Sequence, residues 1–143
     1  MARVLVIDDD SDLLVLCRVN LEHAGHEVHV ADRAERGLAL ARELAPDVVI
    51  LDVMMPERDG FDLLNELAAD HPSLPVLMLT VRSYREDQIR GWRGGAAGYI
   101  IKPFSPQQLV EAVSLALVES GDEREAHRRD ALRQLSDESS RSV

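Results

Sequence analysis

Short, unbroken apolar runs that alternate with amphipathic helical patterns restrict this chain more than any other feature. Val4-Leu5-Val6-Ile7, Val48-Val49-Ile50-Leu51, Val76-Leu77-Met78-Leu79 and Gly98-Tyr99-Ile100-Ile101 are too short for helices, and their apolar residues are continuous rather than alternating. Such runs mark strands buried on both faces, as in a parallel sheet covered by helices. A fifth strand, weaker, is marked by Val28 and Val30 with His29 between them, and it reads as an edge. Between the runs lie helical stretches. Ser11 or Asp10 caps a helix bearing Leu13, Leu14, Leu16, Cys17 and Leu21, which Gly25 ends; Ala34 to Leu44 is closed by Pro46. Further helices are predicted from Phe61 to about Ala69 and from Glu86 to about Arg93, and Ser105 caps a last one bearing Leu109, Val113, Leu115, Ala116 and Leu117. Regular βα alternation requires right-handed crossovers, and five units suit a doubly wound α/β sheet of strand order 2-1-3-4-5.

What stands at the strand ends is as informative as the strands. The first run leads into Asp8-Asp9-Asp10, the third strand into Asp52, the fourth into Thr80 and the fifth into Lys102, the only lysine of the chain. Open α/β sheets gather their chemistry at the carboxyl ends of the strands, next to the point where the strand order reverses. Three carboxylates, a hydroxyl and one ammonium therefore converge on one edge. Asp9 and Asp52 can supply direct oxygens to Mg²⁺, Asp8 can hold a coordinated water, and a backbone carbonyl after Asp52 can complete the shell. Without a cation the acids repel one another, which favours a protonated member. Asp52, fixed at a strand end, is the candidate nucleophile towards phosphorus. Lys102 can pair with phosphoryl oxygens and Thr80 can donate a hydrogen bond to one.

Composition narrows the function classes. At 143 residues and 45% hydrophobic the chain has room for one domain, over about residues 1–118, and a charged extension over 119–143 that reads as solvated and flexible. A formal charge of -10 argues against direct nucleic-acid binding. No stretch approaches a membrane span, and no signal sequence opens the chain, so the expected location is cytoplasmic. The single cysteine, Cys17, is expected in the core.

Together, Val-Ile-Asp-Asp-Asp, Leu-Asp-Val-Met-Met-Pro, Met-Leu-Thr and Gly-Tyr-Ile-Ile-Lys-Pro-Phe resemble, in order and spacing, the four signatures of the receiver domain of two-component response regulators. The resemblance covers residues 3 to about 118 and implies a flavodoxin-like (βα)5 fold resembling that of chemotaxis receivers. It implies Asp52 as phosphoacceptor, Asp8 and Asp9 as the acid pair, Mg²⁺ as cofactor and the Met54 carbonyl as a further ligand. It also implies Thr80 and Tyr99 as a switch pair, a cis peptide between Lys102 and Pro103, and a signalling rather than enzymatic role. The implied partners are a sensor histidine kinase or phosphotransfer protein and a downstream effector or an output domain beyond these residues; a phosphorylation-dependent dimer is compatible with it.

Some residues depart from the pattern or admit other readings. Val81 stands where the family usually has alanine, glycine or serine, and its bulk is expected to narrow access to Asp52 or limit the swing of Thr80. Ala96-Ala97-Gly98 replaces the acids of the winged-helix subfamily, which weakens the expectation of its salt-bridged dimer. Asp10 and Asp12 read as helix-start residues, Trp92 as core packing, and His23, His26 and His29 lack a strong fourth zinc ligand. The alternatives are a haloacid-dehalogenase-type phosphatase, to which Asp8-x-Asp10, Thr80 and Lys102 correspond in part, a flavodoxin-like cofactor module, and a degenerate receiver that takes no phosphate. Pro103-Phe104, where the phosphatase class needs another acidic strand end, and an acidic first loop disfavour the first two.

Overall fold

Every apolar run becomes a strand. The computed structural model describes residues 2–81 and 85–141, with side chains up to residue 136; Ser142 and Val143, at the end of the expected extension, lie outside the described residues. In chain order the elements are β1 (Arg3–Ile7), α1 (Ser11–His23), β2 (Glu27–Ala31), α2 (Ala34–Leu44), β3 (Val48–Asp52), α3 (Gly60–Asp70), β4 (Val76–Thr80), α4 (Arg85–Gly94), β5 (Gly98–Ile101), α5 (Pro106–Val118) and α6 (Gly121–Arg141). The strands form one parallel sheet of order β2-β1-β3-β4-β5, with β2 at an edge.

The alternation of side chains along each strand builds two cores. Leu5, Ile7, Val49, Leu51 and Met78 face one side, where α2 and α3 cover them through Leu38, Ala41, Phe61, Leu63, Leu64 and Leu67. Val4, Val6, Val48, Ile50, Leu77 and Leu79 face the other, against Leu14, Cys17 and Leu21 of α1 and Leu109, Val113 and Ala116 of α5. Both faces of β1, β3 and β4 are thus buried, which is why these runs are continuous. Cys17 is fully buried, and burial pushes its thiol up to about 12, so it packs rather than reacts.

Local signals set the helix ends. Asp10 caps α1 through the amides of Asp12 and Leu13, and Gly25 follows in the left-handed region at φ 96°. Ser105 and Gln108 form a reciprocal capping box on α5. At the other extreme, residues 121–141 form one continuous helix that packs along α4, where the sequence suggests a solvated extension. Its few apolar residues give little periodicity, but Leu135 is buried.

Candidate functional site

Parallel strands deliver their last side chains to one edge, and β3 lies between β1 and β4. Asp8 and Asp9 step off the end of β1, Asp52 ends β3, Thr80 ends β4 and Lys102 follows β5. Among the described residues, the buried polar side chains are Asp8, Asp52 and Thr80, at 0%, 4% and 2% exposure. Burying such groups is costly unless they are paired, so their meeting at one edge marks a built site.

Lys102 supplies the pairing. Its long stem carries the ammonium from β5 across β4, to 3.2 Å from Asp8 Oδ2 and 3.8 Å from Asp52 Oδ1. Its backbone amide donates to the Thr80 carbonyl at 2.7 Å, which ties the ends of β4 and β5 together. The Lys102–Pro103 peptide bond is cis. Asp8 Oδ1 accepts from the Asp10 amide at 2.9 Å, and Asp52 Oδ1 from the Met54 amide at 3.1 Å.

One cation does not neutralise three carboxylates. Burial raises the Asp52 carboxyl to about 7; the Met54 amide opposes this, and the nearby charge of Asp8 adds to it. Asp8 is likewise raised by burial, against the pull of the Asp10 amide and Lys102. Ligand oxygens of Asp8, Asp9 and Asp52 all lie within 4.8 Å of one another, with Asp9 exposed and the other two buried. A divalent cation fits this donor set: the oxygens are hard, too many for one ammonium to balance, and open to water on the Asp9 side. A cleft of about 410 Å³ opens beside them, lined by Asp9, Met54, Met55, Asp59, Phe61 and Arg90 among others.

The other residues singled out from the sequence fall into three places. Met54 stands at the mouth, 49% exposed. Val81 is 63% exposed, so most of its bulk is in solvent rather than in the buried pocket. Tyr99 reaches away from the carboxylates to α4, where its hydroxyl donates to the Asp87 carbonyl at 3.0 Å. Trp92 is 7% exposed but belongs to neither sheet core; it makes tilted ring contacts with Tyr99 and with His127 of α6, at 5.9 and 5.2 Å between ring centroids. Asp12 lies in the first turn of α1. Among the described residues, the histidines form no metal cluster: His29 pairs with Glu27 at 3.1 Å, and His26 accepts from the Ala2 amide.

Three positions carry no signal strong enough to single them out from sequence. A Cβ at Gly60 would lie 2.6 Å from the Asp52 carbonyl oxygen, so glycine lets α3 start against the end of β3. A Cβ at Gly91 would lie 1.6 Å from the Tyr99 hydroxyl oxygen. Arg90 lies over the Phe61 ring and 3.2 Å from Asp59, which caps α3 and pairs with Met54 in an antiparallel bridge. Asp59-Gly60 ahead of an apolar helix is legible as a turn, although not as a close approach to Asp52; the other two depend on tertiary contacts.

Comparison with known proteins agrees with this geometry. Residues 4–114 match the sequence model described as the response regulator receiver domain. The DNA-binding dual master transcriptional regulator RpaA of Synechocystis sp. is 40% identical over 119 residues, covering 82% of this chain and 49% of that protein. The alkaline phosphatase synthesis transcriptional regulatory protein PhoP of Bacillus subtilis is 36% identical over 115 residues, covering 80% and 48%. Among solved structures, Vibrio cholerae chemotaxis protein CheY4 has a TM-score of 0.79 at 34% identity, covering 82% of this chain and 99% of that one. The receiver domain of NtrX from Brucella abortus has a TM-score of 0.78 at 35% identity, with the same coverage. The chain spans about half the length of the curated relatives it matches.

Proposed function

The chain belongs to the receiver domain family of response regulators, and from that premise we propose that Asp52 accepts a phosphoryl group while Asp8 and Asp9, with the Met54 carbonyl, hold Mg²⁺. The observation that carries this reading is the ammonium of Lys102 set between two buried carboxylates at 3.2 and 3.8 Å.

In this reading Asp52 is the nucleophile. One of its oxygens forms the new O–P bond as phosphorus parts from the donor's leaving atom, which keeps the electron pair. Mg²⁺, when bound, draws charge from the phosphoryl oxygens. Lys102 shifts part of its interaction from the carboxylates to a phosphoryl oxygen, and the Thr80 hydroxyl donates to another. The deprotonated form of Asp52 is the nucleophile, so the raised carboxyl makes the reaction depend on whatever holds the anion. Binding of the cation by the same oxygens favours that anion.

The surface of α4, β5 and α5 then carries the signal, through Thr80 and Tyr99. Donor and receiver of that signal are a sensor histidine kinase or phosphotransfer protein, and an effector protein or output domain, all expected in the cytoplasm; pairing of two phosphorylated copies is compatible with this. Among the described residues no helix is long and apolar enough to cross a membrane. RpaA is named as DNA-binding. The sequence expectation of no direct nucleic-acid contact therefore does not extend to a full-length regulator that contains such a domain.

The test is mass measurement after incubation with acetyl phosphate and Mg²⁺. One added phosphoryl group is expected, absent from Asp52→Asn. Labelling that persists in Asp52→Asn overturns the assignment, and label on Asp8 points to the phosphatase alternative.

A further inference from the structure

We propose that α6 is a removable cover for α4, docked on Trp92 in the unmodified chain and released when Asp52 carries a phosphoryl group. The release half of this rests on the phosphoacceptor reading above; the docked half rests on the structure alone.

The cover is visible in the burial of Trp92. An indole that belongs to neither sheet core is nevertheless only 7% exposed, because Tyr99 lies against it from β5 and His127 from α6. Among the described side chains of α6 the partly or fully buried ones are Arg124, Arg128, Ala131 and Leu135, spaced by four, three and four residues, with Leu132 beside Ala131, and so on one face. His127 lies at the rim of that face, its side chain 43% exposed. α6 begins at Gly121, beyond the residues 4–114 that match the family model.

The docking is built to be weak. The face carries two leucines and an alanine among arginines, far less apolar area than a core helix presents. The helix also has its own start: the Glu123 amide donates to Ser120 Oγ at 3.1 Å, and the Ser120 amide to the Glu123 carboxylate at 3.3 Å. Glu119, at φ −68° and ψ 132°, breaks the helical run before it. α6 can therefore leave α4 as an intact helix, swinging about residues 119 and 120.

The loop after β3 connects Asp52 to the platform on which α6 rests. Met54, whose amide donates to Asp52, pairs with Asp59, and Asp59 holds Arg90 of α4 at 3.2 Å. Tyr99 braces the same platform from β5: its hydroxyl donates to the Asp87 carbonyl and sits where a Cβ at Gly91 would be, so that the ring bears on a full turn of α4. Trp92 is the next residue. A change of charge at Asp52 that shifts the loop displaces Arg90 and with it α4 beneath His127. The phosphoryl group thus acts as a ligand that favours the undocked state, and the shift is as large as its differential contacts in the two states.

Trp92 is the only tryptophan of the chain, so its fluorescence reports the cover directly. The experiment measures acrylamide quenching of the full chain, with and without beryllofluoride and Mg²⁺, while ¹⁹F NMR reads occupancy of Asp52. Expected are low quenching in the free chain and a rise on beryllofluoride binding. Leu135→Lys and His127→Ala should start at the raised level and gain little on binding. Bound fluoride signals without a rise in quenching overturn the release and leave the phosphoacceptor reading standing. Absence of any bound signal overturns both. Unchanged quenching in both variants, each still folded by circular dichroism, overturns the docking itself.

Discussion

Lys102 Nζ lies 3.2 Å from Asp8 Oδ2, two residues that stand 94 positions apart in sequence. The pair is possible only because β1 and β5 end at the same edge of one parallel sheet, and a four-carbon stem spans the remaining distance.

Replacing Lys102 should separate charge from shape. Lys102→Met keeps the stem but leaves Asp8 and Asp52 without their cationic partner, and phosphorylation by acetyl phosphate should fall by more than about tenfold, the equivalent of roughly 1.4 kcal/mol. Lys102→Arg should fall by a similar factor, because a planar fork does not reproduce a compact ammonium set between two buried carboxylates. Labelling rates at saturating Mg²⁺ check both; a rate near wild type in Lys102→Met would remove Lys102 from the transfer.

This site is legible from sequence because each of its groups ends an apolar run, and the strand order follows from the βα alternation. Asp8, Asp52, Thr80 and Lys102 need no knowledge of side-chain packing to be placed together. The surroundings of Trp92 are not legible. Its burial comes from a ring on β5 and a ring on α6, and neither contact leaves a periodic trace. α6 is hidden for the same reason: with Leu132 and Leu135 as its only leucines beside Ala131 on the docked face, its pattern is that of a solvated helix.

Gly91 of α4 lies directly against the Tyr99 ring. A methyl there would fall 1.6 Å from the Tyr99 hydroxyl oxygen, so either the ring or α4 must give way. Gly91→Ala should lower stability by about 1–3 kcal/mol despite the better helix propensity of alanine. In Gly91→Ala with Tyr99→Ala the clash is gone, and the double variant should be less destabilised than the sum of the singles. Urea melts of the four proteins test this; simple additivity would place the Gly91 effect elsewhere.

Ending the chain after Glu119 should leave a folded domain, because every buried residue of both sheet cores lies at or before position 116. The loss is the contact of Trp92 and Leu135 with their surroundings across the α4–α6 seam, on the order of 1–2 kcal/mol from the apolar area uncovered. A midpoint lower by several degrees is expected, with the far-ultraviolet signal of the remaining elements retained. Complete loss of cooperative melting would show that α6 belongs to the fold and is no detachable cover.

Metal-free stability should fall as pH rises, opposite to the trend of a domain whose carboxylates are well paired. The Asp52 carboxyl is raised to about 7, above its value in an unfolded chain near 4. A raised acid favours the folded state while protonated, so its contribution is fully present below the unfolded value and is lost progressively as pH climbs from about 4 to about 7. Asp8, raised by burial as well, acts in the same direction. The loss from Asp52 is bounded at roughly 4 kcal/mol, because each tenfold change in proton affinity between the folded and unfolded chain is worth about 1.4 kcal/mol. A divalent cation binds the deprotonated oxygens and so restores stability where the penalty is greatest. In thermal melts, Mg²⁺ should therefore raise the midpoint clearly at pH 8 and little at pH 5, and Asp52→Asn should flatten the metal-free profile. A Mg²⁺ effect equal at the two pH values would show that proton release from these carboxylates is not what the cation acts on.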